Sequence, residues 1–274
     1  MRSEVTSSTI RSKSSITARR IRSARYHFHA GNYGHARALL EPCLRELQPG
    51  PMRATALVLH AEMRMYHSSF AQAADILQRA LKDAESDRAL LVQILVLLSF
   101  VCANIGEYDR SLRHASRALT LSDGLNVPAL SSRACAMWVT VNFVCGQGVD
   151  MPRLQRALEL EDRYTDTPVP LRASAVNALV LAWTGRLDEA RAQVSFVRNR
   201  CIERGEYGQL MFIDLHTTLI EVWRGDLTEA AQIAKDAMER ADQLGCDHAL
   251  VIANAIAAVV AAYAGGEQEA RAHA

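Results

Sequence analysis

A short phrase returns about every forty residues along this chain, and it reads as a turn between two helices. The clear copies are Gly31-Asn32-Tyr33-Gly34-His35-Ala36, Gly106-Glu107-Tyr108-Asp109-Arg110-Ser111, Gly185-Arg186-Leu187-Asp188-Glu189-Ala190 and Gly225-Asp226-Leu227-Thr228-Glu229-Ala230. Ser68-Ser69-Phe70-Ala71-Gln72-Ala73 is a weaker copy, and Gly146 and Gly265 mark two degenerate ones. Their first positions are 31, 68, 106, 146, 185, 225 and 265, giving steps of 37, 38, 40, 39, 40 and 40. A fixed period of this size means stacked repeats. Stacked repeats chiefly build a surface for binding, which makes catalysis the weaker expectation.

The punctuation agrees. Pro49-Gly50-Pro51, Pro128 and Pro168-Val169-Pro170 fall between repeats, where one helix must stop and the next begin. The glycines fall inside repeats, where a left-handed residue ends helix A. Acidic or hydroxyl residues follow at the start of helix B, as in Leu187-Asp188-Glu189 and Leu227-Thr228-Glu229. Ala36, Ala73, Ala190 and Ala230 share one place in helix B and let A and B approach closely. The expected pairs are 16–30 with 33–47, 52–66 with 70–84, 88–104 with 108–122, 127–145 with 150–162, 169–183 with 187–204, 206–224 with 227–244, and 247–264 with a helix from 267. The fold class is therefore all-α, a right-handed α-solenoid of about seven tetratricopeptide-like helix pairs with a period of 37–40 residues. A flexible basic segment, 1–15, leads into the repeat domain, 16–274.

Charge and cysteine content narrow the function. The net charge of +1 argues against a general polyanion binder. Residues 1–25 hold seven basic groups and one acid, leaving 24 basic and 29 acidic groups elsewhere. That segment has no reading helix, so no direct nucleic-acid binding is expected. Six cysteines without a C-x-x-C pair suggest reduced thiols and a cytoplasmic protein. No apolar run reaches the roughly 18 residues of a membrane span. The phosphate loop G-x-x-x-x-G-K-[ST], the nucleophile elbow G-x-S-x-G and the metal motif H-E-x-x-H are all absent. His27, His29 and His35 lie close in sequence but not on one helix face, so no metal site and no cofactor is expected.

The surface is the better place to look. In paired-helix repeats the A helices line the concave side. Counting back from each turn, the groove candidates are Val58, Glu62 and Met65; Gln93, Val96 and Phe100; Arg133, Thr140 and Phe143; Arg172 and Leu179; and Phe212, Leu215 and Leu219. This mixture suits an apolar helix of a protein or peptide partner, or a small-molecule inducer whose anionic group is held by Arg133 and Arg172. Packing between helices is the plainer use of each apolar member. Trp183 and Trp223, each two residues before a turn, read as wedges between repeats. The helix from Asp247 is almost wholly apolar and its partner stops at Ala274. Terminal repeats usually carry a polar outer face. Either another chain covers this end, a second copy in a homodimer included, or the sequence is a segment of a longer protein.

The phrases Leu181-Ala182-Trp183-Thr184-Gly185-Arg186-Leu187-Asp188-Glu189-Ala190-Arg191, Leu154-Gln155-Arg156-Ala157-Leu158-Glu159-Leu160-Glu161-Asp162 and Ala36-Arg37-Ala38-Leu39-Leu40-Glu41 together carry a resemblance. Over roughly residues 17–274 the chain resembles the tetratricopeptide-like region of the large ATP-binding LuxR-type transcription regulators of actinobacteria, which is similar to the sensor region of the MalT regulator. The period is longer than the usual tetratricopeptide length of about 34 residues. The resemblance implies a sensor placed between a nucleotide-binding switch and a helix-turn-helix. Neither flanking part is in this sequence, so neither activity passes to any residue here. The expected function is a ligand-sensing and protein-interaction module of a transcription regulator, with no catalysis of its own. The alternatives are a stand-alone tetratricopeptide adaptor for a peptide or protein, and a small-molecule-binding protein or enzyme on the same scaffold.

Overall fold

The computed structural model describes residues 2–65, 69–162, 164, 167–245 and 247–273, with side chains from residue 15 onward except at 207 and 208. Among the described residues there are fourteen α-helices and one 3-10 turn, and no strand. The helices pair as α1 (Arg2–His29) with α2 (Tyr33–Glu46), α3 (Pro51–Met65) with α4 (Phe70–Asp83), and α5 (Arg88–Asn104) with α6 (Tyr108–Ser122). Then come α7 (Pro128–Val144) with α8 (Met151–Glu159), α9 (Ala173–Trp183) with α10 (Leu187–Glu203), and α11 (Tyr207–Arg224) with α12 (Leu227–Leu244). The last pair is α13 (Asp247–Tyr263) with α14 (Glu267–His273). The molecule is an all-α solenoid of seven tetratricopeptide-like pairs. Helix α1 includes the stretch that composition reads as a flexible lead-in. Its described core contacts begin at Ile21, followed by Ala24 and Phe28.

One backbone device reverses the chain in each pair. Gly31, Gly106, Gly146, Gly185, Gly225 and Gly265 all adopt φ between +76° and +84°. In the third pair the Gly106 N–H donates to the Ala103 carbonyl at 3.2 Å, and the Glu107 N–H to the Cys102 carbonyl at 2.8 Å. The fifth pair repeats this at 3.1 and 2.9 Å, from Gly185 and Arg186 to Ala182 and Leu181. These two bonds satisfy carbonyls left open at the helix end. A Cβ at Gly106 would meet nothing within 4 Å, so glycine is needed there for its φ and not for space. Ser68 of the weaker copy lies outside the described residues. Ser69 nevertheless donates to Arg64 O at 3.1 Å, the same five-residue span as Glu107 to Cys102.

In the first, second, third, fifth and sixth pairs, the side chain four residues past the turn's second position sits against helix A. Ala36, Ala73, Ala190 and Ala230 are fully buried there. The third pair has Ser111 instead, also fully buried. Its hydroxyl donates to Ser99 O at 2.7 Å while the Ser99 hydroxyl donates to Ser111 O at 2.9 Å. The reciprocal bonds offset the desolvation of two hydroxyls that alanine avoids.

The fifth pair departs from the expected boundaries. Helix α8 ends at Glu159 and α9 begins only at Ala173, because Pro168 and Pro170 hold Val169–Leu171 in a 3-10 turn. Arg172, the N-cap of α9, has no oxygen to offer. The Glu161 carboxylate takes over, accepting from Ser174 N at 2.6 Å and from Ser174 Oγ at 2.8 Å. Arg200 of α10 donates to the same carboxylate at 3.1 Å.

Five apolar clusters run end to end between the pairs, the largest joining α3 to α7 through residues such as Leu57, Leu77, Ile94, Leu95 and Leu98. The later pairs add buried acids. Asp214 of α11 is held by Arg240 at 3.1 Å and Arg198 at 3.5 Å, and Glu221 by Arg191 at 2.8 Å and Arg224 at 3.4 Å. The array also bends round on itself. Tyr33 of α2 packs against the α11–α13 cluster, and the Phe70 ring of α4 meets His248 of α13 edge-on at 6.3 Å.

Among the described residues no helix is long and apolar enough to cross a membrane. Cys43, Cys102, Cys135 and Cys201 are buried free thiols, and Cys145 is a half-buried one. Burial pushes the Cys201 thiol up to about 11. Cys246 lies outside the described residues.

The glycine positions predict effects of opposite sign. Gly106→Ala should cost about 1 kcal/mol through its positive φ. Gly34→Ala, inside α2 with open space around it, should gain about 0.5 kcal/mol. Urea denaturation of the two variants measures both.

Candidate binding site

Helices A expose side chains at two recurrent positions, thirteen and six residues before the turn glycine. In the third, fourth and sixth pairs these are Gln93 and Phe100, Arg133 and Thr140, and Phe212 and Leu219, all partly exposed. Leu215 of α11 joins them, and so does His216, whose ring meets Phe212 at 4.4 Å. The Phe70–His248 contact joins the second pair to the seventh, and Phe100, Phe212, Leu215 and Leu219 are the apolar members of the partly exposed set. Phe70 also meets Phe100 edge-on at 6.2 Å, which ties the closure to that set.

His216 is half-buried, and burial alone pushes its pKa down to about 4 from an ordinary 6.5. His248 is shifted in the same direction by the same cause. Both imidazoles are neutral near pH 7, so they present hydrogen-bonding nitrogens rather than charge.

The other expected groove residues go elsewhere. Val58, Val96 and Leu179 are buried between helices and line nothing. Met65 packs against the main apolar cluster. Glu62 is largely covered and faces Arg25 of α1 at 3.8 Å. Phe143 lies three residues before its turn and stacks on Trp183, 5.2 Å between centroids and 7° from parallel. That contact makes Trp183 the expected wedge between pairs. Trp223 is not one, being 41% exposed.

Arg172 is the main correction. It was expected beside Arg133 as the second anion-binding arginine, but it is 3% exposed. Its guanidinium donates to Glu206 at 2.6 Å and to Thr167 O at 2.7 Å. The late start of α9 leaves Arg172 in extended backbone, off the helical stripe that carries Arg133. Burial would raise the Glu206 carboxyl, but the hydrogen bonds from Arg172 and Arg204 outweigh it and hold the group below its usual range. Arg133 is half-buried on the inner face, without Arg172 near it in register.

No protein-family model matches the chain, and no curated protein matches it in sequence. Solved structures do share its fold. A Rap protein complexed with Competence and Sporulation Factor is similar over 89% of this chain and 68% of its own, at 14% identity and TM-score 0.69. RapI in its apo form is similar over 94% and 98%, at 14% identity and TM-score 0.54. Aspartyl phosphate phosphatase F from Bacillus subtilis is similar over 93% and 67%, at 14% identity and TM-score 0.53. At these identities the likeness is one of fold.

Two measurements follow. Arg172→Ala leaves Glu206 with Arg204 only, and should cost about 2–3 kcal/mol in urea denaturation. His216 is protonated more readily in the unfolded chain, so its contribution is complete above about pH 6.5 and lost as pH falls towards 4. Between those values the wild type should lose about 2–3 kcal/mol more than His216→Leu, measured as the difference between the two stability–pH curves.

Proposed function

We propose that the chain is a peptide- or protein-binding repeat module that acts as the sensor of a transcription regulator and has no catalysis of its own. The observation that carries the binding role is the set of partly exposed apolar side chains on helices A, Phe100, Phe212, Leu215 and Leu219, with the neutral His216 ring against Phe212. Exposed apolar side chains gathered in a concavity are what a buried ligand segment requires. The similar Rap structure holds Competence and Sporulation Factor, which supports a partner of peptide or protein kind. The regulator setting rests on the resemblance to LuxR-type proteins, and a cytoplasmic location follows from it.

The mechanism is a population shift. A ligand that prefers one curvature of the array stabilises that curvature by its differential affinity and changes the surface offered to adjoining domains. The contact between Phe70 and His248 joins the second and seventh pairs, so it separates a closed curvature from an open one. The outer face of α13, with Leu250 and Val251 exposed, is the place where a second copy would form a homodimer.

Selection from a displayed library of source-genome peptides tests the binding role. Recovered peptides should converge on an apolar motif and lose about tenfold or more in affinity for Phe212→Glu. Selection without convergence, or peptides indifferent to both Phe212→Glu and Leu219→Glu, would contradict it.

A further inference from the structure

A second surface lies along the edge where the turns are. The position two residues before the turn glycine is His29 in the first pair and Asn104 in the third. In the fourth to seventh pairs it becomes Val144, Trp183, Trp223 and Tyr263. Val144, Trp223 and Tyr263 are 46%, 41% and 59% exposed. A shallow depression of about 520 Å³ opens between Val144 and Trp223, walled by Phe143, Trp183 and Leu187. Single exposed hydrophobic residues are ordinary. Three of them, in the fourth, sixth and seventh pairs, with the half-buried Trp183 between and an apolar hollow beside them, mark an interaction site.

The starts of the B helices run beside this row. From each turn glycine to the sixth residue beyond, the fifth to seventh pairs carry six acids and three arginines. Arg191 is drawn away to buried Glu221. Asp188, Glu189, Asp226, Glu229, Glu267 and Glu269 are all exposed. Arg224, Arg186 and Arg271 pair with Asp188, Glu189 and Glu267, so Asp226, Glu229 and Glu269 leave net negative charge beside the apolar row.

Spacing and charge together specify an occupant. Packed helices lie about 8–10 Å apart, so the row offers one apolar side chain at about that interval. Seven residues of an α-helix rise about 10.5 Å. We propose that the turn edge of the fourth to seventh pairs docks an amphipathic helix of a partner protein. The helix lies along the row with one apolar side chain per heptad, and its flanking lysines or arginines face the acids at the B-helix starts. The surface is separate from the inner face and does not depend on the function proposed for it.

The probe is a leucine–lysine heptad peptide, with its leucine–glutamate counterpart as control, followed by tryptophan fluorescence. The lysine peptide should shift the emission and bind about tenfold or more tighter than the glutamate peptide, with affinity falling as salt rises. Trp223→Ser should weaken it about tenfold. The double variant Glu229→Lys, Glu269→Lys changes only exposed groups and should do the same, whereas Glu46→Lys on α2 should not. Equal binding of both peptides, or binding unchanged in the tryptophan and charge variants, overturns the proposal. So does a dimer in sedimentation that Trp223→Ser dissociates, because the occupant would then be a second copy.

Discussion

Everything in this molecule depends on a chain reversal that leaves helices A and B in near contact. Six glycines in the left-handed region end helix A and satisfy its last carbonyls with two hydrogen bonds. The small residue four positions beyond the turn lets B lie against A. Stacking these pairs places A helices side by side, as α5 lies on α7 and α11 on α13. The curvature and the inner face follow from repeating that step.

The pairs are joined by two kinds of contact. From α3 to α7 the joint is almost wholly aliphatic. From α9 to α12 it includes carboxylates buried against arginines of neighbouring helices. Burial pushes the Asp214 carboxyl up even though Arg240 and Arg198 pull it down, so this ion pair is a poor source of net stability. Its use is geometric. Arg198 comes from α10 and Arg240 from α12, and one acid between them fixes how both B helices sit on α11.

The turns and pairs were legible in the sequence because their causes are local. Positive φ calls for glycine, a close approach calls for alanine, and both recur with the period. The expected starts of helices B at 33, 70, 108, 187, 227 and 267 coincide with those observed. The inner face was less legible. Arg172 matches Arg133 in distance from its turn, but the prolines at 168 and 170 delay α9 and remove it from the stripe. Val58 and Val96 look groove-facing on a single helix and are buried once the neighbouring A helices close in. Nothing in the period points to Asp214 or Glu221, because Arg191, Arg198 and Arg240, which hold them, lie on neighbouring helices. The meeting of Phe70 with His248 sums small rotations over five pairs, and no local pattern encodes it.

That meeting carries the account, because it joins the second pair to the seventh and fixes the closed curvature. Spin labels at Ser69 and Asp247, in a cysteine-free background, measure it directly by dipolar spectroscopy. Closure predicts one narrow distance distribution at short range in the free protein, displaced towards longer range by Phe70→Glu. A broad distribution at long range in the unaltered pair, unmoved by Phe70→Glu, would contradict that closure.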